Sequence, residues 1–232
     1  MSILASNWSD LQIRRPTLLL DRTRARRHIE QMVDKAARVG VRFKPHFKTH
    51  QSAVIGGWFR ALGVRGITVS SLDMARYFAA DGWQDITVAF PFNTREREEV
   101  DALARQIDLH LIVDSMAAVE VLGSLTRTVH VWIKVDVGGR RAGVPWSHAH
   151  SVLALAETIR RSKHARFKGL LTHAGHSYDT SSVAEILEIH ASSIRRLTQL
   201  QRRLAHAGIA PCEISIGDTP CCSLAEGFDG VS

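Results

Sequence analysis

The sequence predicts an α/β fold, a parallel (β/α)8 barrel of TIM type interrupted at its last strand. Three observations carry that reading. Short apolar runs suited to strands alternate with longer stretches of helical periodicity, the order that builds a parallel sheet with crossover helices. One run, Val41-Arg-Phe-Lys-Pro-His-Phe-Lys-Thr-His50, sets apolar residues at odd positions and basic or hydrogen-bonding ones at even positions. Residues able to do chemistry gather just after the strand ends, where such barrels place their active sites.

Taken in order, residues 17–21 (Thr-Leu-Leu-Leu-Asp) read as a short opening strand. A helix over 23–39 follows, with Ile29, Met32, Val33, Ala36 and Ala37 on one stripe and Gly40 as its stop. Residues 41–44 form the next strand and lead into the lysine segment and a helical stretch to Leu62. Strand 66–70, a helix over 72–80 ended near Gly82, and strand 85–90 come next. Asn93 caps a helix, with Glu96 three residues on as in a capping box. Strand 109–113, a Ser115-capped helix, strand 130–135, a loop and a helix over 147–161 follow. Strand 167–172 precedes a long helix over 181–207 stopped by Gly208, and 213–216 is the last clear strand.

After the opening run this makes seven strands, with an eighth beginning at 229–232. A doubly wound open sheet is the second architecture the alternation allows. No repeat, low-complexity tract or long linker divides residues 1–232, so one domain is expected, and its end at Gly230-Val-Ser232 reads as a truncation.

A length of 232 residues and a hydrophobic content of 45% suit one globular barrel. No apolar run approaches the ~20 residues of a membrane span, so no membrane partner is expected. The first ten residues lack a basic stretch followed by an apolar core, unlike a secretory signal. Cys212, Cys221 and Cys222 are odd in number and two are adjacent, which makes no disulfide framework and points to a cytoplasmic setting. The net charge of +7 comes from arginines dispersed over helical stretches, without an aromatic-bearing basic stripe. A nucleic-acid partner is therefore not expected.

The even face of 41–50 lines up Arg42, Lys44, His46, Lys48 and His50. On a surface strand that face would meet water; in a parallel barrel it points into the lumen and toward the mouth. Like charges around Lys48 disfavour its charged form, which makes it a candidate for Schiff-base chemistry. After the fifth strand comes Asp136-Val-Gly-Gly-Arg-Arg-Ala-Gly143. An arginine held by such a loop can grip an anionic or phenolate oxygen with its fork of donors, although a solvated turn has the same composition.

After the sixth strand, Thr172-His-Ala-Gly-His-Ser-Tyr178 offers two histidines and a tyrosine for acid–base work, cofactor contact or metal. No third ligand lies nearby in sequence, so no metal is assigned there. After the seventh, Ser215-Ile-Gly-Asp-Thr-Pro220 offers backbone N–H groups and a hydroxyl to an anion. Gly-Asp-Thr-Pro is equally an ordinary turn, and Asp218 would have to face its carboxylate away from a bound phosphate. Cys221 and Cys222 read as packing residues.

Taken together, Lys44-Pro-His-Phe-Lys-Thr-His50, Val135-Asp-Val-Gly138 with Arg141-Ala-Gly-Val144, the run from Gly169 to Tyr178, and Ile216-Gly-Asp-Thr-Pro220 resemble the D-threonine aldolase / D-serine dehydratase family. These are alanine-racemase-like, fold type III pyridoxal-phosphate (PLP) enzymes. The match runs in order from about Pro16 to the end, and Pro-His-x-Lys-Thr-His is its specific part.

The resemblance implies a PLP-binding barrel of the alanine racemase N-terminal type followed by a β-domain. By position, Lys48 would form the Schiff base, Arg141 would reach the pyridoxal phenolate oxygen and His173 would lie against the ring. Tyr178 would sit in the cofactor or substrate pocket, Gly217, Asp218 and Thr219 would hold the phosphate, and Ser71 would be a further cofactor contact. Lys48, His50 and His173 are the catalytic candidates, the two histidines for proton transfer.

The implied function is a PLP-dependent lyase acting on small D-configured β-hydroxy amino acids, an aldolase or a dehydratase. The alternatives are an amino-acid racemase and a non-catalytic single-domain PLP-binding protein. Two departures matter. The family's Gly-Tyr-Gly-Arg is Gly138-Gly-Arg-Arg141 here, with one more charge and no aromatic ring. The family's Arg-Pro-Gly segment and its β-domain, with a His-x-Cys pair for zinc or manganese, lie outside this sequence. The metal is thus expected only with that domain, and a homodimer only of the full-length protein.

Overall fold

A computed structural model describes residues 12–232. Its strands are β1 Gly66–Val69, β2 Asp85–Pro91, β3 Asp108–Val113, β4 Val129–Asp136, β5 Val144–Pro145, β6 Ala165–Thr172 and β7 Glu213–Ile216. They pair in parallel in the order β1-β2-β3-β4-β6-β7, with the two-residue β5 beside the end of β4. Strands that follow one another in space as in sequence describe a curling barrel wall, whereas a doubly wound sheet reverses its order partway. The barrel expectation holds.

Among the described residues eight α-helices accompany the strands: α1 Arg22–Val39, α2 Ala53–Ala61, α3 Leu72–Ala80, α4 Arg97–Leu103, α5 Met116–Gly123, α6 Ala149–Arg161, α7 Val183–His206 and α8 Thr219–Leu224. Outward strand residues such as Ile67, Ile86, Val131, Ile133 and Leu170 are buried, the packing that excludes water between wall and helices.

Four local expectations need correction. Residues 17–21 form no strand; they run exposed, with Leu18 at 96%, and Asp21 instead caps α1 by accepting the Arg24 N–H at 2.9 Å. Residues 41–44 form no ladder either. Only His46 bridges to Thr68, with the Thr68 N–H donating to the Pro45 carbonyl at 2.9 Å. Pro45 has no N–H to return, so regular pairing cannot pass through it. The capping box is one-sided: Asn93 accepts the Arg95 N–H, opening a 3-10 turn ahead of α4. The Gly-Asp-Thr-Pro stretch starts α8, capped by Asp218 and with proline in its first turn.

The two open edges face one another across the place of an eighth strand. The Ser232 N–H donates to the Ile214 carbonyl of β7 at 3.0 Å. Across the gap Arg42, in the first barrel position, pairs with Glu213 of β7. Outside, the buried Lys35 of α1 donates to the Ser223 carbonyl at 3.0 Å and lies 3.4 Å from Glu226. The ring of helices thus comes together where the strands do not.

A polar network fills the barrel floor, at the N-terminal strand ends. Lys44 Nζ lies 2.6 Å from Asp85, which also faces His110 Nε2 at 3.2 Å; the His110 and His130 rings stack at 4.6 Å, and His130 meets Asp108 at 2.9 Å. Burial acts to raise the Asp85 carboxyl, but the His110 hydrogen bond and the Lys44 ammonium overcome it and hold the group at about 2. A depressed folded-state value means stability that is whole above 3.8 and lost as pH falls toward about 2. Asp85→Asn is expected to flatten the acid limb of stability in that window, measurable by urea unfolding at a series of pH values.

Candidate active site

Ser71, Arg141, His173, Tyr178 and residues 217–219 follow the C-terminal ends of strands, and Lys48 and His50 follow the isolated His46 bridge to Thr68 of β1, so the barrel carries them to one face. Lys48 lies in a single 3-10 turn, Phe47–Thr49. Phe47 is fully buried and packs at 4.9–5.3 Å, centroid to centroid, from Phe59, Phe78 and Trp83. That anchor leaves Lys48 exposed. His46 Nδ1 accepts the Lys48 N–H at 3.2 Å, and Gln51 returns to the Lys48 carbonyl with its side-chain amide at 3.2 Å. Gln51 sits at φ 44°, a left-handed conformation costing a non-glycine residue roughly 1 kcal/mol. The crowding of cations expected around Lys48 is dispersed, because Arg42 and Lys44 have carboxylate partners of their own in Glu213 and Asp85.

His173 and Tyr178 follow β6, their rings near parallel at 7° and 6.2 Å apart. Burial first, then the Lys134 charge and more weakly Lys48, lower the His173 value against the opposing pull of Asp218. His173 is held neutral, the form that can accept or pass on a proton. The Tyr178 hydroxyl accepts the Thr219 N–H at 3.1 Å. Asp218 accepts the Ser177 hydroxyl at 2.7 Å and the Cys221 N–H at 2.9 Å. Its nearly buried carboxylate is thereby committed to the protein. At Gly217 an added Cβ would meet nothing within 4 Å, so that backbone is open to a ligand.

Arg141 stands exposed in a loop that Asp136 ties down by accepting the N–H groups of Gly138 at 2.8 Å and Arg140 at 3.1 Å. Beside it lies Lys134, which sequence reasoning passed over. Burial, with Arg141 adding and Asp136 opposing, pushes that amine down to about 8. The signal was present in β4: His130, Trp132 and Lys134 alternate with buried valines and isoleucine, which turns all three to the same side of the sheet.

Two predicted residues have structural commitments. The Ser71 hydroxyl caps α3 by accepting the Met74 N–H at 3.2 Å. His50 Nδ1 accepts the Ser52 N–H at 3.1 Å, its ring lies 4.5 Å from that of Phe47, and its buried Nε2 has no partner among the described residues. Cys221 is buried, and burial pushes its thiol up to about 12, as befits a packing residue.

Among the described residues one cluster, Asp108, His110 and His130, brings three ligating atoms within 4.8 Å of one another. It belongs to the floor network, at the opposite strand ends from Lys48. The Trp132 indole donates to His110 Nδ1 at 3.2 Å, so Nε2 carries the ring proton and donates to Asp85. A metal on Nε2 would turn an Nδ1–H against the indole N–H, where ligating histidines need an acceptor. The cluster fits a hydrogen-bonded network better than a cation.

The parallel barrel wall carries an exposed lysine, a histidine–tyrosine pair and an open glycine backbone at its mouth. The family model described as "Alanine racemase, N-terminal domain" matches residues 20–231, and the chain belongs to that family. It is 34% identical over 223 residues to D-threo-3-hydroxyaspartate dehydratase of Delftia sp., covering 94% of this chain and 58% of that protein. The solved structure of that dehydratase superposes with a TM-score of 0.87 over 92% of this chain and 57% of its own, and a mutant of it has been solved in a metal-free form. D-serine dehydratase of Dictyostelium discoideum is 27% identical over 225 residues, covering 90% of this chain and 56% of that protein. D-threonine aldolase from Filomicrobium marinum shares the fold, with a TM-score of 0.82 at 21% identity, over 91% of this chain and 60% of its own. The chain therefore spans a little over half the length of these relatives. No helix among the described residues is long and apolar enough to cross a membrane.

Proposed function

We propose that the protein is a PLP-dependent lyase acting on D-configured β-hydroxy amino acids, with the cofactor attached through Lys48. The observation that carries this is the pinned turn holding Lys48 exposed at the mouth of the barrel, on the same face as His173 and the Tyr178–Thr219 pair. The 34% identity to a dehydratase of this kind supports the same reading. The residues suit PLP. An exposed amine can bond its carbonyl carbon, and Arg141, exposed and without an ion-pair partner among the described residues, can face its phenolate oxygen. The Gly217 backbone can face its phosphate, the Thr219 N–H being given to Tyr178, and the Asp218 carboxylate is held off by Ser177 and Cys221.

The bound cofactor supplies an electron sink. The chain supplies the rest. Lys48 Nζ, once free, is placed to take a substrate proton, and neutral His173 and the Tyr178 hydroxyl are placed to hold or move a second one. Arg141 keeps positive charge at the phenolate side. His50, with its ring among phenylalanines, shapes the turn more directly than it reaches the lumen. A divalent metal, zinc or manganese, and a second subunit would come from parts of the full-length protein outside this chain. The odd number of cysteines, two of them adjacent, supports a cytoplasmic setting.

The test is turnover by the full-length protein with D-serine, D-threonine and D-threo-3-hydroxyaspartate. Ammonia with a 2-oxo acid identifies a dehydratase, and glycine with an aldehyde identifies an aldolase. Cofactor binding without turnover of any of the three would sink the lyase reading in favour of a PLP carrier.

A further inference from the structure

His46 belongs to the lysine segment yet has no role in the reading above. Its backbone makes the bridge to Thr68 that ties this extended stretch to β1. Its side chain caps the Phe47–Thr49 turn, with Nδ1 accepting the Lys48 N–H at 3.2 Å. An imidazole nitrogen that accepts carries no proton, so the neutral ring must hold its proton on Nε2. Among the described residues Nε2–H has no acceptor, and the ring is only half-buried. Burial, then the nearby Lys48 charge and the repulsion that a protonated His173 would add, hold the ring at about 4, which keeps it neutral at ordinary pH.

We propose that His46 is a positioning residue for Lys48: Nδ1 fixes the lysine turn, and the tautomer this requires presents a neutral Nε2–H donor to an anionic oxygen of the ligand at the barrel mouth. The two functions are chemically linked, because a ring that released the Lys48 amide could turn its proton to Nδ1 and lose the outward donor. A neutral donor of this kind stabilises a developing oxyanion without giving up its proton. The inference rests on the proposed function only in taking Lys48 as the reactive amine.

Two substitutions separate the linked parts. The His46→Asn side chain reproduces the Nδ1 acceptor but not the distal donor, and the His46→Gln side chain reaches the Nε2 position but leaves the Lys48 amide uncapped. The measurements are imidazole nitrogen shifts and amide hydrogen exchange in the cofactor-free protein, with borohydride-retained PLP scored separately. The parent should show the Nε2–H tautomer through neutral pH. His46→Gln should speed exchange at Lys48 roughly fivefold, the loss given by one helix cap, and His46→Asn should restore it. His46→Asn should nonetheless hold PLP several-fold more weakly than the parent.

An Nδ1–H or charged ring at neutral pH would overturn the proposal, and the parent alone can show it even if a variant fails to fold. Unchanged Lys48 exchange in a folded His46→Gln would overturn the positioning half. Parent-like PLP affinity in His46→Asn would overturn the donor half. Failure of the parent to retain PLP under borohydride would instead count against Lys48, leaving the tautomer and exchange results to stand or fall on their own.

Discussion

Lys48→Ala is expected to abolish covalent retention of PLP after borohydride reduction and to lower lyase turnover by roughly 10³-fold or more, since nucleophile and proton acceptor leave together. The structural cost should be small, because the side chain is exposed and takes part in no side-chain hydrogen bond or ion pair among the described residues. The buried anchor Phe47 and the His46 cap do not depend on the lysine side chain. Absorbance before and after reduction, with peptide mapping of the retained cofactor, checks the result. A mutant that unfolds no earlier than the parent but keeps the fixed label would place the attachment on another amine. Lys134, half-neutral near pH 8 and beside Arg141, is the first to examine.

Gly169→Ala is expected to be the most damaging single methyl in the chain. Gly169 lies opposite Glu213 in the β6–β7 ladder. A Cβ there would overlap the Glu213 carbonyl oxygen and lie 2.6 Å from its backbone nitrogen, neither of which can swing aside as a side chain would. The β6–β7 pairing must open, and it carries His173 on one side and the Gly217–Thr219 backbone on the other. A loss on the order of 4 kcal/mol, the upper range for point mutations, should lower the melting temperature by about 10 °C for a chain of this size. Gly57→Ala is the control. It lies in α2 with nothing within 4 Å of the new methyl, so it should stabilise by roughly 0.5–1 kcal/mol. Equal melting temperatures for Gly169→Ala and the parent would show that the two strands are less tightly apposed than the structure has them.

Much of the architecture was legible because it is written in local periodicity. The helix start at Ser115, whose hydroxyl accepts the Ala118 N–H, follows from chemistry contained in four residues, whereas the same cap at Ser71 stood in the sequence as a cofactor contact and those at Ser52 and Ser182 were not read. The strands β1 to β4, β6 and β7 were visible as apolar runs bounded by turn residues. The two runs that failed as strands show the limit. Residues 17–21 have strand composition, but a strand exists only where another backbone pairs with it, and none among the described residues does. Residues 41–44 have strand alternation, but Pro45 withholds the N–H that a ladder needs.

The site divides in the same way. By itself the sequence determined which residue types stand after which strand, and hence that Lys48, Arg141, His173, Tyr178 and the Gly217–Thr219 turn share one end of a barrel. Only the tertiary structure decided what each is bonded to. It turned His50 into an aromatic cluster, gave Lys44 and Arg42 carboxylate partners remote in sequence, set Lys134 beside Arg141, and aimed the Asp218 carboxylate at Ser177. The reason is range. Periodicity and capping act across a few residues, whereas protonation state and hydrogen-bond partnership depend on desolvation and on charges brought close from distant parts of the chain.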